Sequence, residues 1–343
     1  MTTDLVSRPE IRTTHASIAM MQLHGQIEGL EQRSARGEML SDDWATLVDL
    51  LVLRAQIVGR IADYEHAAQI AELRAIEAPE DGAALLSRAR TRSSLHRFAE
   101  AEIDCKHAAK LGAPTRQVDA AIAALHQATG RYEEALATYR RLEDEKPDFE
   151  SAGNIASLLA EMGERSAAEH WFETSCERYR SVSPFAIAQL EFQRGHMWFS
   201  MDRNRARHWF LTATRRLPCY AHAEGHLAEL EFALGDADVA IARLERLAAA
   251  ADDPDYASEL SLMLREMGRE AEAISWRNHA EKRYEDLIAR HPAAYADHGA
   301  RFWLHVGGNP KKALDLALLN LAVRDTPRAR NIVAAAQGAC AAK

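Results

Sequence analysis

Cysteine is scarce: Cys105, Cys176, Cys219 and Cys340 are the only four in 343 residues, and no two form a CxxC pair. That spacing excludes a zinc knuckle or a disulfide framework as the basis of the fold, and a reducing, cytoplasmic setting is expected. Long apolar runs are missing as well. None approaches the ~18 residues of a membrane span, and the opening MTTDLVSRPEIRTTH has no apolar core of the signal-peptide kind. Neither export nor membrane insertion is expected. Basic residues are in deficit, 42 Lys and Arg against 51 Asp and Glu, for a formal charge of -9. That balance argues against a general binder of nucleic acid or anionic membrane. There is no Gly-rich phosphate loop, no GxSxG elbow and no convincing Ser/His/Asp or Cys/His order. No nucleophile is nominated, and no catalytic activity is expected.

What the sequence does have is a period. In GRYEEALATYRRLEDEKP, Gly130 starts a turn, Ala135 begins the close-packed stretch of a helix, Tyr139 follows four residues on, and Pro147 ends the unit. The small anchor recurs at Ala67, Ala101, Ala135, Ala168, Ala206, Ala240, Ala273 and Ala313, in steps of 34, 34, 33, 38, 34, 33 and 40. Small residues at a fixed spacing let paired helices approach closely at each crossing. Ala123, Ala156 and Ala228 recur before the turns, and Tyr139, Phe172 and Phe210 recur as the aromatic of the second helix.

In these positions the chain resembles the tetratricopeptide repeat (TPR) family. The resemblance implies an all-α fold, a right-handed α-solenoid of about eight helix-turn-helix repeats over residues 45–328. Residues 1–44 would form an N-terminal tail and capping helix, with Ile18, Met21, Ile27 and Leu30 near one side of that helix. Thr326 and Pro327 read as an N-cap with Pro at the first helical position, and residues 329–343 would form the C-terminal capping helix and tail. The long steps of 38 and 40 suggest lengthened second helices after HWFETSCERY and SWRNHAEKRY. The family's early Trp is absent from most first helices, and Cys105, Leu244, Arg277 and Ala317 stand where an aromatic is usual. The segment ARFWLHVGGNPKKALDLALLNLAVRDTPRA is similar to bacterial proteins of this repeat type, which implies a bacterial setting.

The resemblance also implies a concave groove lined by the first helices, taking another protein or peptide segment as partner; by the charge balance nucleic acid is disfavoured as a partner, and no membrane is expected. Counting from Ala221 as position one places His222, His226, Glu229 and Phe232 toward the groove, with His196 supplied by the preceding repeat. Arg90, Gln127, Asn154, Ser157 and Glu259 follow by the same count. His222 and His226 stand four apart in HAEGH, the spacing of two zinc ligands on one helix face, although Ala223 replaces the Glu of the familiar protease string. The bland reading is a polar recognition surface without a cofactor. The alternative is a metal- or small-ligand-binding protein, an enzyme or a maturation factor, using His196, His222, His226 and Glu229 around a divalent metal such as zinc. Only Asn154 matches the set with which some family members grip a C-terminal carboxylate, so a chaperone tail is not the expected partner.

Two further clusters are read structurally. Phe192, Trp198, Phe199, Trp209 and Phe210 lie among arginines, and the rings are expected to pack between helices while the guanidinium groups are solvated. His291, His298 and His305 recur every seven residues, a spacing read as coincidence because His291 precedes Pro292, outside the helix carrying the other two.

Overall fold

In a computed structural model describing residues 11–342, the chain forms helices and no strand among the described residues. A first helix, α1 (Ala16–Ala35), precedes eight antiparallel helix pairs. These are α2 (Ser41–Val58) with α3 (Ile61–Glu77), α4 (Gly82–Ser94) with α5 (Phe98–Lys110), and α6 (Thr115–Ala128) with α7 (Tyr132–Glu145). Next come α8 (Phe149–Glu161) with α9 (Arg165–Arg178), α10 (Phe185–Trp198) with α11 (Arg203–Arg216), and α12 (Ala221–Ala233) with α13 (Ala237–Ala250). The last pairs are α14 (Pro254–Glu266) with α15 (Glu270–Arg290) and α16 (Pro292–His305) with α17 (Pro310–Val323), followed by α18 (Pro327–Ala341). No helix among the described residues is long and apolar enough to cross a membrane.

The period is visible in the packing. All eight anchor alanines are between 0 and 3% exposed, so each marks a crossing where a larger side chain would force two helices apart. Phe172 and Phe210 fill the space beside them and are fully buried. Charge reinforces the hairpins: Arg54 is bidentate to Asp63 at 2.6 and 2.7 Å, Arg88 to Asp104 at 3.0 and 2.7 Å, and Arg243 to Glu231 at 2.9 Å twice. Each fork-to-carboxylate pair ties a first helix to its second. Cys105 is buried among apolar side chains, and burial pushes its thiol up to about 11, so it is inert core.

Two expectations need correction. In α1 the buried face is Ala19, Leu23, Ile27 and Leu30, whereas Ile18 and Met21 are exposed; the 4-4-3 spacing of the buried set follows the helix better. Of the two expected long second helices, α15 has 21 residues but α9 has only 14. The extra residues after α9 form an irregular segment, 179–184. Ser183 stands before Pro184, which disfavours helical backbone, and the Val182 carbonyl accepts from Thr14 N at 2.7 Å, anchoring the segment to the start of the chain. Thr326 does cap α18, accepting from Ala329 N at 3.2 Å with Pro327 first in the helix.

The larger finding is that the spiral returns onto itself. Asp252, between α13 and α14, accepts from Ile61 N and Ala62 N at the start of α3, satisfying orphan donors of a helix some 190 residues earlier. Glu65 on α3 meets Arg290 and His291. His96 Nδ1 lies 3.1 Å from the Ala293 carbonyl, and Arg324 Nε donates to the Ala128 carbonyl at 3.1 Å. At the same seam Gly130 has φ of +85°, and a Cβ there would fall 2.1 Å from the Asp325 carbonyl oxygen. The first three hairpins therefore carry the last three and α18 as a second tier.

Candidate functional site

The first helices of successive hairpins face inward, and five of the last inner walls, α10, α12, α14, α16 and α18, enclose a chamber of about 620 Å³. From α10 and α12 it receives His196, His222, His226 and Glu229; from α14 it receives Asp255, Tyr256 and Glu259. Helix α16 contributes His298, Arg301 and His305, and α18 contributes Arg328 and Asn331. Most reach the chamber because they lie three or four residues apart on one helical face, as His222, His226 and Glu229 do.

The central electrostatic feature is Asp255. Its carboxylate accepts from Tyr284 Oη and lies 2.6 Å from His298 Nδ1. Burial opposes ionisation, yet the facing His298 cation and the two hydrogen bonds hold the acid well below the usual carboxylate range. The same Asp255, with Asp297, overcomes burial at His298 and raises the imidazolium to about 9. Glu259 behaves oppositely: burial, then the neighbouring charges of Glu229 and Asp255, push it up to about 8. Asp253, the N-cap of α14, is also raised by burial and by Asp255. His196 and His222 are lowered to about 4, chiefly by burial and secondarily by His226.

These directions fix a pH dependence. From about pH 7 the folded chain keeps a proton on Glu259 up to about 8 and on His298 up to about 9 that the unfolded chain has released, whereas above about pH 7 His196 and His222 are largely neutral in both states. Stability must then fall as pH rises through that window. Both groups open onto chamber water, so the loss is of the order of 2 kcal/mol after screening. Urea midpoints at pH 7 and pH 9 should record it, and Glu259→Gln should flatten the slope; a midpoint that rises toward pH 9 contradicts the assignment.

The chamber gathers five of the ten residues expected to face a groove: His196, His222, His226, Glu229 and Glu259. Phe232 instead packs against the core of the last hairpins. Arg90 pairs with Asp49 at 3.0 Å. It shares a separate recess of about 290 Å³ with Asn154. Gln127 donates to Glu161 at 2.7 Å and accepts from Tyr139 Oη at 3.2 Å, and Ser157 is half-buried on α8.

The histidine wall is packed with rings. His226 stands 5.0, 5.6 and 5.6 Å from the centroids of Phe199, Phe192 and Phe210, and Phe192 lies 6.2 Å from both His196 and His222. His226 Nδ1 is 3.0 Å from Glu229 Oε1 but is not aligned for a hydrogen bond. Among the described residues, no three His, Cys, Asp or Glu side chains are arranged to hold a metal ion. Of the neighbouring arginines, Arg194 is buried over Trp209 at 4.0 Å, whereas Arg205, over Trp198 at 4.5 Å, stays exposed as expected. At Gly195 a Cβ would stand 2.7 Å from the Phe210 ring, so the helices meet too closely there for any side chain.

Sequence reasoning missed Asp255, Arg301 and Arg328, and it dismissed His298 and His305. His291 does lie outside α16, as its N-cap, but the other two share the chamber face. The signals were present: His298, Arg301 and His305 stand three and four apart, as do Arg328, Asn331, Ile332 and Ala335 at intervals of 3, 1 and 3.

No protein-family model matches the sequence, and comparison with curated proteins gives no match. Solved structures do match. The Cut9–Hcn1 hetero-tetramer of the APC/C aligns with a TM-score of 0.50 at 13% identity, over 86% of this chain and 55% of that one. The chain thus spans about half the length of that protein. Human IFIT1 with m7Gppp-AAAA aligns with a TM-score of 0.57 at 12% identity, over 94% of this chain and 77% of that one. A tetratricopeptide repeat protein from Parabacteroides merdae gives 0.44 at 16% identity, over 76% and 93%. At these identities the likeness is one of fold, and the fold is an all-α solenoid of tetratricopeptide type.

Proposed function

We propose that this solenoid is a non-catalytic binding protein and that the chamber bounded by α10, α12, α14, α16 and α18 is its receptor site. The observation that carries the reading is convergence: five inner helices, spread over about 140 residues of chain, direct charged and apolar side chains into one space of about 620 Å³. That volume lies within the range of small-molecule pockets, roughly 300–1,000 Å³. It suits a small ligand or the compact end of a partner protein better than a long extended segment.

The fold shared with IFIT1 bound to m7Gppp-AAAA does not carry that ligand across. Here Glu229 and Asp255 line the same chamber as Arg301 and Arg328, and their fields oppose a polyphosphate chain. A polar recognition site without a cofactor remains the favoured reading of the histidine wall.

Photo-crosslinking tests the proposal. Ala335→benzoylphenylalanine places the probe on the chamber face of α18, and Val239→benzoylphenylalanine places it on the outer helix α13, where Val239 is exposed. In the source organism, adducts from position 335 and none from 239 are expected. Adducts from 239 alone would overturn the chamber as receptor. Elemental analysis of the same untagged protein checks the metal alternative, which a stoichiometric metal lost on His222→Ala would establish in its place.

A further inference from the structure

Several arginines of this fold have their forks filled from within. Arg54, Arg88, Arg216 and Arg243 are each hydrogen-bonded in bidentate fashion to a carboxylate of the adjacent helix. Arg301 and Arg328, which face the chamber, have no hydrogen bond among the described residues. Their nearest carboxylates, Glu259 and Asp297, are each 3.8 Å away, beyond hydrogen-bond range. Both side chains are reached by solvent, 38% and 52% exposed, so their forks stand open to an incoming carboxylate instead of being taken up by the fold.

Carboxylates of the same chamber stand beside them. Glu229 and Glu259 come from adjacent inner helices, α12 and α14, and burial first, then the charge of Glu229, makes Glu259 hold a proton well above its ordinary range. Asp255 does not help, because Tyr284 and His298 already occupy it. Tyr256, only 5% exposed and on the chamber wall, has an Oη with no partner among the described residues. The two unfilled pairs adjoin, since Arg301 and Glu259 are 3.8 Å apart. Phe199, Leu304 and Ile332 add apolar surface to the same chamber.

We infer that the chamber binds a free α-amino acid with an apolar or aromatic side chain, its carboxylate on Arg301 and Arg328 and its ammonium on Glu229 and Glu259. An α-amino acid carries both charges on one carbon, which suits two pairs that adjoin. Its carboxylate fills the guanidinium forks in the planar geometry they favour, and its ammonium allows both glutamates to ionise together. The side chain then covers the Phe199, Leu304 and Ile332 wall, which a purely ionic ligand leaves wetted. This inference rests on the chamber being the receptor site and adds the chemistry of what enters it.

Isothermal titration of the full chain with L-phenylalanine and with L-leucine provides the test, with N-acetyl-L-phenylalanine and L-phenylalaninamide as the singly charged comparisons. Saturable binding at or below about 1 mM is expected. Each blocked derivative should bind at least tenfold more weakly, because one charged pair is again left unfilled. Arg328→Gln should cost a similar factor; the residue makes no internal hydrogen bond, so its loss leaves the fold intact, which far-UV circular dichroism verifies. Arg328→Lys should fall between, keeping the charge without the fork. Heats that are absent for both amino acids, or equal for the free acid and its amide, overturn the inference. A protein crosslinked at position 335 together with no amino-acid binding overturns this inference alone, whereas neither crosslink nor binding overturns the receptor reading as well.

Discussion

Gly130→Val is expected to destabilise the fold by about 3 kcal/mol or more and to part the two tiers of the spiral. Two costs combine. At φ of +85° a β-branched residue is strained by about 1–3 kcal/mol. In addition, its Cβ would overlap the Asp325 backbone, which has no flexible side-chain end to swing aside. Relief requires α18 and its lead-in to move away, and that movement breaks the bond from Arg324 to the Ala128 carbonyl. Gly163→Val provides the control. Its φ is +84°, yet a Cβ there meets nothing within 4 Å, so it incurs the backbone cost alone. Chemical denaturation of the two variants separates the contributions, and small-angle scattering should show a larger radius for Gly130→Val only. Equal losses and equal radii would mean that the seam at Asp325 does not hold the tiers together.

Asp255→Ala should be nearly as damaging, by about 2–3 kcal/mol, for an electrostatic reason. The carboxylate joins three helices: its own α14, α15 through Tyr284, and α16 through His298. Without it, Tyr284, which is 1% exposed, keeps a buried hydroxyl with no acceptor. His298 can shed its proton and the chamber admits water, so the loss falls short of that for a fully enclosed pair. The sharper readout is the titration of His298. In the intact protein its imidazolium persists to about 9; in the variant the largest raising influence is gone, and the proton should leave near the ordinary histidine value of about 6.5 or below. NMR of the ring protons follows this directly. A titration that stays near 9 would assign the raised value to Asp297 and remove Asp255 from the role given to it.

The hairpins were legible because their requirement is local and repeats. Ala101, Ala135 and Ala168 are small for the same reason in each unit, and a regular step exposes them without any knowledge of distant neighbours. Part of the chamber was legible too. His222, His226 and Glu229 lie on one inner helix, so counting along α12 was enough to bring them together. Arg301, Arg328 and Asp255 escaped because nothing in the counting pairs α14 with α18. His298 was discounted by its company: one histidine of a sevenfold series lies before a proline, and the series was judged as a unit when only two members share a helix. The seams escaped for a related reason. Asp252 reads as an ordinary loop acid, and only the path of the spiral makes it the cap of α3.

That path limits how such a chain can evolve. A strip of helix pairs open at both ends tolerates duplication or deletion of a unit, because each unit needs only its immediate neighbours. Here Asp252 must arrive opposite Ile61, Ala293 opposite His96 and Asp325 opposite Gly130. One hairpin gained between the third and fifth pairs would carry every later partner past its mate, so the number of units is fixed by closure, as the number of staves is in a barrel.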